Sequence, residues 1–274
     1  MNKKTLRELQ LTEVEILNEL DRICKQNDIT YYLIGGTLLG AVRHEGFIPW
    51  DDDLDVVMPR KDYEKFIKVC SNQLNKKYVL QSYRNTTNYW LPFAKIRKKN
   101  TIFLEKDIAH MNTFHGIFID IFPLDMSHST GDSFSVRARA KIFNYTRYLI
   151  GNKVGLYKHT NHENIKNTML TRILTRVFTS EFLLKLQQKM IVIHILAPRY
   201  YVNFGSRYGV KKQTIPIDWY EPAVLIEFEG NKYPAPSHYK KILERIYGKK
   251  YMELPPENKR VTHNPLMISF DTKS

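Results

Sequence analysis

The sequence predicts an α+β protein, a mixed sheet flanked by helices and interrupted by a basic helical insertion. Strand and helix patterns are mixed up to about residue 125, and a short α+β segment ends the chain. Between them, residues 134–196 read as helical, and residues 134–200 hold twelve Lys or Arg against two Glu, ten of the net charge of +14. We therefore divide one domain into a core (1–126), an insertion (127–200) and a segment that completes it (201–274).

Apolar residues recurring every three or four positions predict the helices. They indicate helices over about residues 5–27, 63–74 and 237–247, the last ended by Gly248. In the insertion one apolar face is predicted, with Lys166, Arg172 and Arg176 outside it; its members are Met169, Leu170, Ile173, Leu174, Val177 and Phe178.

Short runs of β-branched and aromatic residues predict the strands. The first covers residues 29–34 and stops at Gly35-Gly36, which favours a strand, a turn and then a helix. The others are expected at residues 54–58, 78–82, 91–97, 116–122 and 223–229.

Composition excludes some classes of protein and leaves others open. With 274 residues and 43% apolar residues the chain builds a real core, and its two cysteines lie in helical patterns that indicate no disulfide framework. The N-terminus lacks a signal-peptide pattern, so we expect a cytoplasmic protein. The basic insertion favours an anionic partner, either a polyanionic acceptor or the inner face of a membrane, or is a solvated surface. No nucleic-acid motif accompanies it, so we expect no nucleic-acid partner.

Four carboxylates in five positions, Asp51, Asp52, Asp53 and Asp55, are the strongest chemical signal. Carboxylates this close repel one another, and a bound cation neutralises them. On an extended strand Asp51, Asp53 and Asp55 share one face, which suits Mg²⁺ or Mn²⁺. An EF-hand is excluded, because a loop starting at Asp51 has Val56 and Asp62 where Gly and Glu are required. An acidic surface turn is the alternative.

Other candidate site residues flank the acids. Gly35, Gly36 and Thr37 lie between a strand and a helix, where free N–H groups suit a phosphate, and Arg43 and His44 add positive charge. Asp120 lies on a separate predicted strand as a third carboxylate for a metal, or as half of a salt bridge. Lys95 alternates with Arg97 and Lys99 on a strand face, as a phosphate clamp or a solvated edge.

Two segments carry a family resemblance. Gly-Gly-Thr-Leu-Leu-Gly-Ala-Val-Arg-His at 35–44 and Phe-Ile-Pro-Trp-Asp-Asp-Asp-Leu-Asp at 47–55 resemble the signature of the LicD family, phosphocholine transferases related to the fukutin-related phosphotransferases. Phe-Ile-Asp-Ile-Phe-Pro-Leu-Asp at 118–125 supports the match, and the helical insertion is covered poorly.

The resemblance implies a nucleotidyltransferase-like core. Carried over by position, Gly35 and Gly36 match the glycine turn, Asp53 and Asp55 the metal pair and Asp120 the third acid, with Asp51 as an additional candidate. The implied activity is magnesium-dependent transfer of phosphocholine from CDP-choline to a sugar hydroxyl of teichoic acid or a similar glycan, releasing CMP. A different CDP-activated polyol or sugar donor, or a decayed enzyme that binds a polyanion or membrane, is the alternative.

An aromatic cage suits choline, a quaternary ammonium that accepts no hydrogen bond. Trp90, Trp219 and Tyr220 are candidate walls, with ordinary packing as the alternative for each.

Overall fold

The computed structural model describes residues 1–156, 169–193, 196–260 and 262–271. Its helices and strands alternate along the chain as the sequence predicts. The helices are α1 Lys3–Gln26, α2 Gly35–His44, α3 Arg60–Gln73, α4 Phe134–Val154, α5 Met169–Val177, α6 Ser180–Ile191, α7 Gly209–Gln213 and α8 Tyr239–Tyr247. The strands are β1 Tyr32–Leu33, β2 Asp55–Pro59, β3 Tyr78–Gln81, β4 Ala94–Lys98, β5 Ile102–Leu104, β6 Phe118–Ser127, β7 Tyr200–Val202, β8 Thr214–Pro216, β9 Val224–Phe228, β10 Asn231–Ala235 and β11 Met267–Ser269.

The main sheet is mixed, with β6 at its centre. Within the described residues it has seven strands, in the order β1-β2-β6-β4-β3, and the far end of β6 continues into β7 and β8. Only the β2–β6 pair is parallel, and it sets Asp55 opposite Asp120. The α+β prediction is therefore confirmed, and the proposed subdivision of the domain stays a prediction.

The core lies between this sheet and the first and third helices. Leu9, Leu17 and Leu20 of α1 are fully buried against strand residues such as Ile96 and Ile119. The long α1 follows from its apolar spacing, and Asn2 caps it by accepting a hydrogen bond from the Thr5 N–H at 2.8 Å. This packing fixes the sheet edge on which the acidic residues lie.

Three predictions need correction where strands begin. β1 covers only two residues, and Gly35 and Gly36 are the first residues of α2 rather than a turn before it, with Gly35 at a φ of +58°. β2 begins at Asp55, so Asp51 and Asp53 precede the strand instead of lying on it. The short β1 pairs only with Val56 and Val57, which leaves residues 51–54 without a ladder partner on that side.

The insertion joins β6 to β7, and the structure describes three helices in it, α4, α5 and α6, as predicted. Its α5 does not have a single buried face, however: Leu174 and Phe178 pack against buried residues, while Met169, Ile173 and Val177 are exposed. Arg172 and Arg176 are also exposed, as expected. Lys166 and the side chain of Leu170 lie outside the described residues. Across the described ranges, no helix combines the length and apolar character needed to cross a bilayer.

Candidate active site

A cavity of about 360 Å³ opens where β2 and β6 begin and α2 starts. It combines acidic, glycine, aromatic and basic walls. The acids are Asp51, Asp53, Asp55 and Asp120, the glycines Gly35 and Gly36, the aromatic residues Trp90, Phe93, Phe122, Tyr208 and Tyr220, and the basic residues Arg147, Arg207 and His263. The structure therefore brings the two glycines and these four acids together, as the sequence predicts.

The glycines leave room for the carboxylates. A Cβ on Gly36 would lie 2.5 Å from Oδ2 of Asp51, closer than real Cβ contacts allow. A Cβ on Gly35 would be 3.4 Å from Oδ2 of Asp55, and the left-handed φ of Gly35 also favours glycine. A side chain at position 36 would therefore displace the Asp51 carboxylate, and the backbone conformation at position 35 favours glycine.

Polar contacts from neighbouring helices position the acidic segment. Thr37 is buried, and its Oγ1 accepts a hydrogen bond from the Asp55 N–H at 2.8 Å. Gln10 of α1 donates from Nε2 to the Asp51 carbonyl oxygen at 3.0 Å. Thr37 was predicted as a phosphate contact, but the structure has it holding the backbone of an acid in place.

Burial and crowding raise the pKa values of two of the acids, Asp51 and Asp55. Desolvation and the charge of Asp53 raise the pKa of Asp51 to about 8. Desolvation, Asp53 and Asp120 together raise the pKa of Asp55 well above its usual range. Among the described residues, His263 opposes only part of the shift at Asp51 and Lys95 only part of the shift at Asp55, so the ionised cluster is unfavourable by itself and favours a positively charged ligand.

Asp120 differs from the other acids because it contacts a lysine. Lys95 Nζ lies 2.7 Å from Oδ1 of Asp120 and 3.4 Å from the ring centre of Phe118. Desolvation raises the pKa of Asp120, and the charge and hydrogen bonding of Lys95 oppose part of that shift. Lys95 is therefore a buried partner of an acid, and not part of a solvated edge; its neighbour Arg97 is fully buried as well.

His263 is a site residue that sequence reasoning missed. Its backbone N–H and its Nδ1 contact the buried carboxylate of Asp52, at 2.9 Å for the ring nitrogen. The hydrogen bond to Asp52 raises the pKa of His263 to about 9, so the ring is a cation at neutral pH. Its Nε2 lies 3.9 Å from Oδ2 of Asp53. No local motif marks His263, and chain folding alone brings it to the acids.

Glu13 of α1 was also missed, although the sequence carried a signal for it. It falls between Leu9 and Leu17 on the buried face of the helix, where a carboxyl group is unexpected. Its Oε2 has no hydrogen-bond partner, and desolvation together with the charge of Asp53 raises the pKa of Glu13 well above its usual range. Glu13 thus adds a further acidic group beside the cluster.

Arg43 and His44 do not line the cavity. Arg43 donates from Nη1 to the carbonyl oxygens of Tyr251 and Glu253 at 3.0 and 3.1 Å, and from Nε to His44 at 3.0 Å. Arg43 therefore joins α2 to the C-terminal segment. The positive charge facing the cavity comes instead from Arg147 of α4 and from Arg207, neither of which was predicted.

Aromatic residues form a large part of the cavity lining. Trp90 and Tyr220 line the cavity as expected, but Trp219 does not and instead lies under Lys241. Phe93 and Phe122 are in contact as a tilted pair with ring centres 4.1 Å apart, and Tyr208 contacts the guanidinium of Arg207. The cavity thus offers several π faces beside a group of carboxylates.

A second cavity of about 440 Å³ adjoins the first. The two cavities share Trp90, Leu91, Phe93, Asp120, Leu156 and His263. The remaining walls of the second cavity are mostly polar: Lys95, Glu105, Lys106, Asp107, Ile108 and Asn264. Asp120 and His263 therefore line both cavities.

The acids suit a divalent cation by their chemistry, although they do not form a complete coordination shell. Within the part of the chain that the structure describes, no three His, Cys, Asp or Glu side chains are arranged to hold a metal ion together. Mg²⁺ usually takes one or two carboxylates and completes its shell with water and substrate phosphates. The space beside Gly35 and Gly36 and the raised pKa values of Asp51 and Asp55 fit such a site.

Comparison with known proteins gives a family match over residues 28–199, to the LicD/FKTN/FKRP nucleotidyltransferase domain. The chain is 29% identical over 280 residues to the lipopolysaccharide cholinephosphotransferase LicD of Haemophilus influenzae. The aligned region covers 96% of this chain and 97% of that protein. An uncharacterized protein of Rickettsia typhi is 39% identical over 59 residues, 22% of this chain and 19% of its own length. One of Rickettsia prowazekii is 42% identical over 52 residues, covering 19% and 20% respectively.

Proposed function

Because this chain belongs to the LicD/FKTN/FKRP nucleotidyltransferase family, we propose that it transfers phosphocholine from CDP-choline to a sugar hydroxyl of a cell-surface glycan precursor, releasing CMP. The single observation that carries the proposal is one cavity whose lining combines crowded carboxylates, the two glycines that begin α2 and several aromatic rings. A nucleotide diphosphate joined to a quaternary ammonium needs both the polar and the aromatic groups. The full-length relative of this family is a cholinephosphotransferase by name.

We propose that Mg²⁺ or Mn²⁺ is the cofactor, which one or two of the carboxylates of Asp53, Asp55 and Asp120 would hold, with water and the donor's phosphates completing the shell. Bound there, the ion supplies positive charge that stabilises the transferring phosphoryl group and the leaving CMP. Asp51 lies beside these residues and adds negative charge for the same cation.

The donor's phosphates belong at the start of α2. Gly35 and Gly36 begin that helix, whose first N–H groups are free to donate to an anion. Arg147 and Arg207 add positive charge within the same cavity. The choline group then faces Trp90, Phe93 and Tyr220, where a cation gains attraction from the π faces.

The acceptor sugar enters from the polar cavity and meets Asp120 at the boundary. The sugar hydroxyl oxygen forms a bond to the phosphorus of phosphocholine, the bond from that phosphorus to CMP breaks, and the hydroxyl proton passes to Asp120. Desolvation raises the pKa of Asp120, which suits a proton acceptor. Lys95, at 2.7 Å, holds the carboxylate in position.

The acceptor class is a lipopolysaccharide or teichoic acid precursor, or a related lipid-linked glycan, and the reaction takes place on the cytoplasmic side of the cell membrane. A peripheral contact with the anionic inner leaflet is part of this proposal. Glycan hydroxyls suit the second cavity because its walls offer carboxylates, amines and an amide as well as the indole face of Trp90.

The test is a donor panel. Purified protein is incubated with Mg²⁺ and CDP-choline, CDP-ribitol or CDP-glycerol, with and without glycan acceptor, and CMP release is followed. We expect CDP-choline to be preferred by more than about tenfold in kcat/KM, since a polyol gains little from aromatic faces and leaves its hydroxyls unsatisfied.

Two results discriminate the alternatives. Equal rates or a preference for a polyol donor would keep the metal chemistry and replace the choline assignment. Absence of CMP release from every CDP donor, with a folded protein and Mg²⁺ present, would favour a decayed enzyme that only binds its partner.

A further inference from the structure

The exposed sides of α5 and α6 carry the same pattern of residues. Counted from Met169 on α5 and from Phe182 on α6, each has an apolar residue at the first, fifth and ninth positions and a basic residue at the fourth and eighth. We call these residues the docking face: Met169, Arg172, Ile173, Arg176 and Val177 on α5, and Phe182, Lys185, Leu186, Lys189 and Met190 on α6. Because spacings of three and four align residues along one side of a helix, each helix shows one stripe of alternating apolar and basic side chains.

The apolar residues of the docking face are outside the core. Met169 is 79% exposed, Val177 66% and Phe182 46%. The opposite side of α6 supplies the buried contacts, through Leu183 and Leu184. Phe182 stacks on Phe178 with ring centres 4.8 Å apart, but it and the other apolar residues of the second stripe remain exposed among the described residues. Each helix therefore has one stripe that builds the fold and a second, exposed apolar stripe, and such patches mark interaction sites.

The charge of the docking face has one sign. Its four basic residues are all exposed. Glu181 is the only acid described between residues 169 and 193, and it is half-buried and accepts a hydrogen bond from the Asn88 N–H at 2.9 Å. No acid on these two helices therefore neutralises the four cations.

We propose that the docking face binds the surface of an anionic lipid bilayer, with its basic residues on lipid phosphates and its apolar residues at the boundary of the acyl chains. A basic amphipathic surface with apolar residues at helical spacing binds anionic membranes through both charge and apolar contact. A hydrated polyanion such as a glycan phosphate chain pairs with the cations and leaves the apolar residues in water. A second copy of the chain brings four cations against four cations, which repel.

Docking also bears on the site, because the same insertion lines the cavity. Arg147 and Gly151 of α4 form part of the cavity wall, and α4 packs against both α5 and α6. A protein held by α5 and α6 therefore keeps the cavity close to the membrane surface. The proposal does not rest on the transferase chemistry, and vesicle binding tests it without any substrate.

The experiment is co-sedimentation of the full-length protein with phosphatidylcholine vesicles, with and without phosphatidylglycerol. Two variants change the docking face: the charge variant R172E/R176E/K185E/K189E and the apolar variant I173S/V177S/L186S/M190S. The charge control K3E/K4E/K232E/K249E changes the net charge equally at exposed sites elsewhere. The apolar control L225S/M252S changes exposed apolar residues outside the insertion. Thermal melts establish that each variant is folded.

The parent should bind only the vesicles that contain phosphatidylglycerol. Each cation contributes about fivefold, so reversing four should weaken binding by more than about a hundredfold, while the charge control should stay within about tenfold of the parent. The apolar variant should bind at low salt and dissociate at salt concentrations at which the parent and the apolar control stay bound, because salt screens charge and does not weaken apolar contact.

Four outcomes would overturn the proposal. The first is failure of the folded parent to bind phosphatidylglycerol vesicles, and the second is equal loss of binding in the charge control. In the third, the apolar variant matches the parent at every salt concentration, and the face then serves a soluble polyanion. In the fourth, the parent forms a dimer in sedimentation velocity that the apolar variant disrupts, and the face then serves a second copy.

Discussion

Asp120 and Asp125 lie on the same strand, β6, and meet opposite electrostatic surroundings. Asp125 accepts two hydrogen bonds from the buried guanidinium of Arg60, at 2.8 and 2.9 Å. Asp120 has one contact with Lys95 and lies opposite Asp55, at the edge where Asp51 and Asp53 are also crowded. One carboxylate is fully paired inside the fold, whereas the other belongs to a group with a surplus of negative charge.

The difference separates a structural acid from a functional one. Burial by itself would lower the pKa of Arg60, but the charge and hydrogen bonds of Asp125 raise it overall, as in a stable ion pair. At the other end of the strand, desolvation and mutual repulsion raise the pKa values of Asp51 and Asp55. Removing the charge of Asp125 should therefore destabilise the protein. Removing a charge from the acidic cluster should instead reduce the repulsion between its carboxylates.

The largest effect is expected on activity at the cluster. Asp53→Asn or Asp55→Asn removes a negative oxygen at nearly constant size, so CMP release should fall by about a hundredfold or more, or about 3 kcal/mol in transition-state stabilisation. The melting temperature should stay equal or rise because repulsion is reduced. Asp28→Asn, at an exposed residue with a positive φ that Asn tolerates, is the matched control. Full turnover in both cluster variants would refute the site assignment.

The second effect concerns stability at Asp125. Asp125→Asn leaves the buried guanidinium of Arg60 without its carboxylate, and breaking such a pair costs about 3 to 5 kcal/mol in the free energy of unfolding. Urea denaturation measures it, with Asp28→Asn again as the control. A loss below about 1 kcal/mol would mean that the pair does not hold β6 to the start of α3.

The third effect is a pH dependence of stability in the metal-free protein. Asp51 has a folded pKa of about 8, above its unfolded value of about 3.9, so its stabilising contribution is full below the unfolded pKa and is lost as the pH rises through about 8. Melting temperatures in EDTA should fall over this range. Asp51→Asn should make the melting temperature depend less on pH. Each kcal/mol of stability that the parent loses over this range should lower its melting temperature by about 2 to 4 °C.

Saturating Mg²⁺ should flatten the same slope, because a cation favours the ionised acids. Asp28→Asn should keep the parental slope. An unchanged slope in Asp51→Asn would mean that this carboxyl titrates in the folded protein as it does in the unfolded chain.

The smallest effect is expected at the aromatic wall. Trp90→Leu removes the indole face, which is worth about 0.5 to 2 kcal/mol for a cation, so kcat/KM for CDP-choline should fall about twofold to thirtyfold. The rate with CDP-glycerol should change little, and Trp90→Phe should restore part of the preference because it keeps a π face. Equal losses for both donors would assign Trp90 to packing.

The parts of the site that lie close together in the chain were predictable from sequence. Gly35 and Gly36 and the acids from Asp51 to Asp55 sit in one short motif, and a strand pattern was enough to add Asp120. The order of helices and strands along the chain also predicted the α+β fold, because apolar spacing indicates which side of each element is buried.

Long-range packing hid the remainder. His263 reaches Asp52 from 211 residues away, and Arg207 enters the cavity from the connection after β7, a strand that was not predicted. Arg43 was placed near the phosphate by its position between the motifs, but the carbonyl groups of Tyr251 and Glu253 determine where its side chain points. Tertiary contacts decide such orientations, and no local pattern encodes them.

The central claim is that the crowded acids bind a divalent cation together with the donor's phosphates. Titration of Mn²⁺ into the parent protein, followed by electron paramagnetic resonance with and without CDP, tests it most directly. We predict binding that strengthens when CDP is present and that is lost in Asp53→Asn and kept in Asp28→Asn, because substrate phosphates complete a shell that carboxylates only begin. Mn²⁺ binding of equal strength in the parent and in Asp53→Asn, with or without CDP, would contradict the claim.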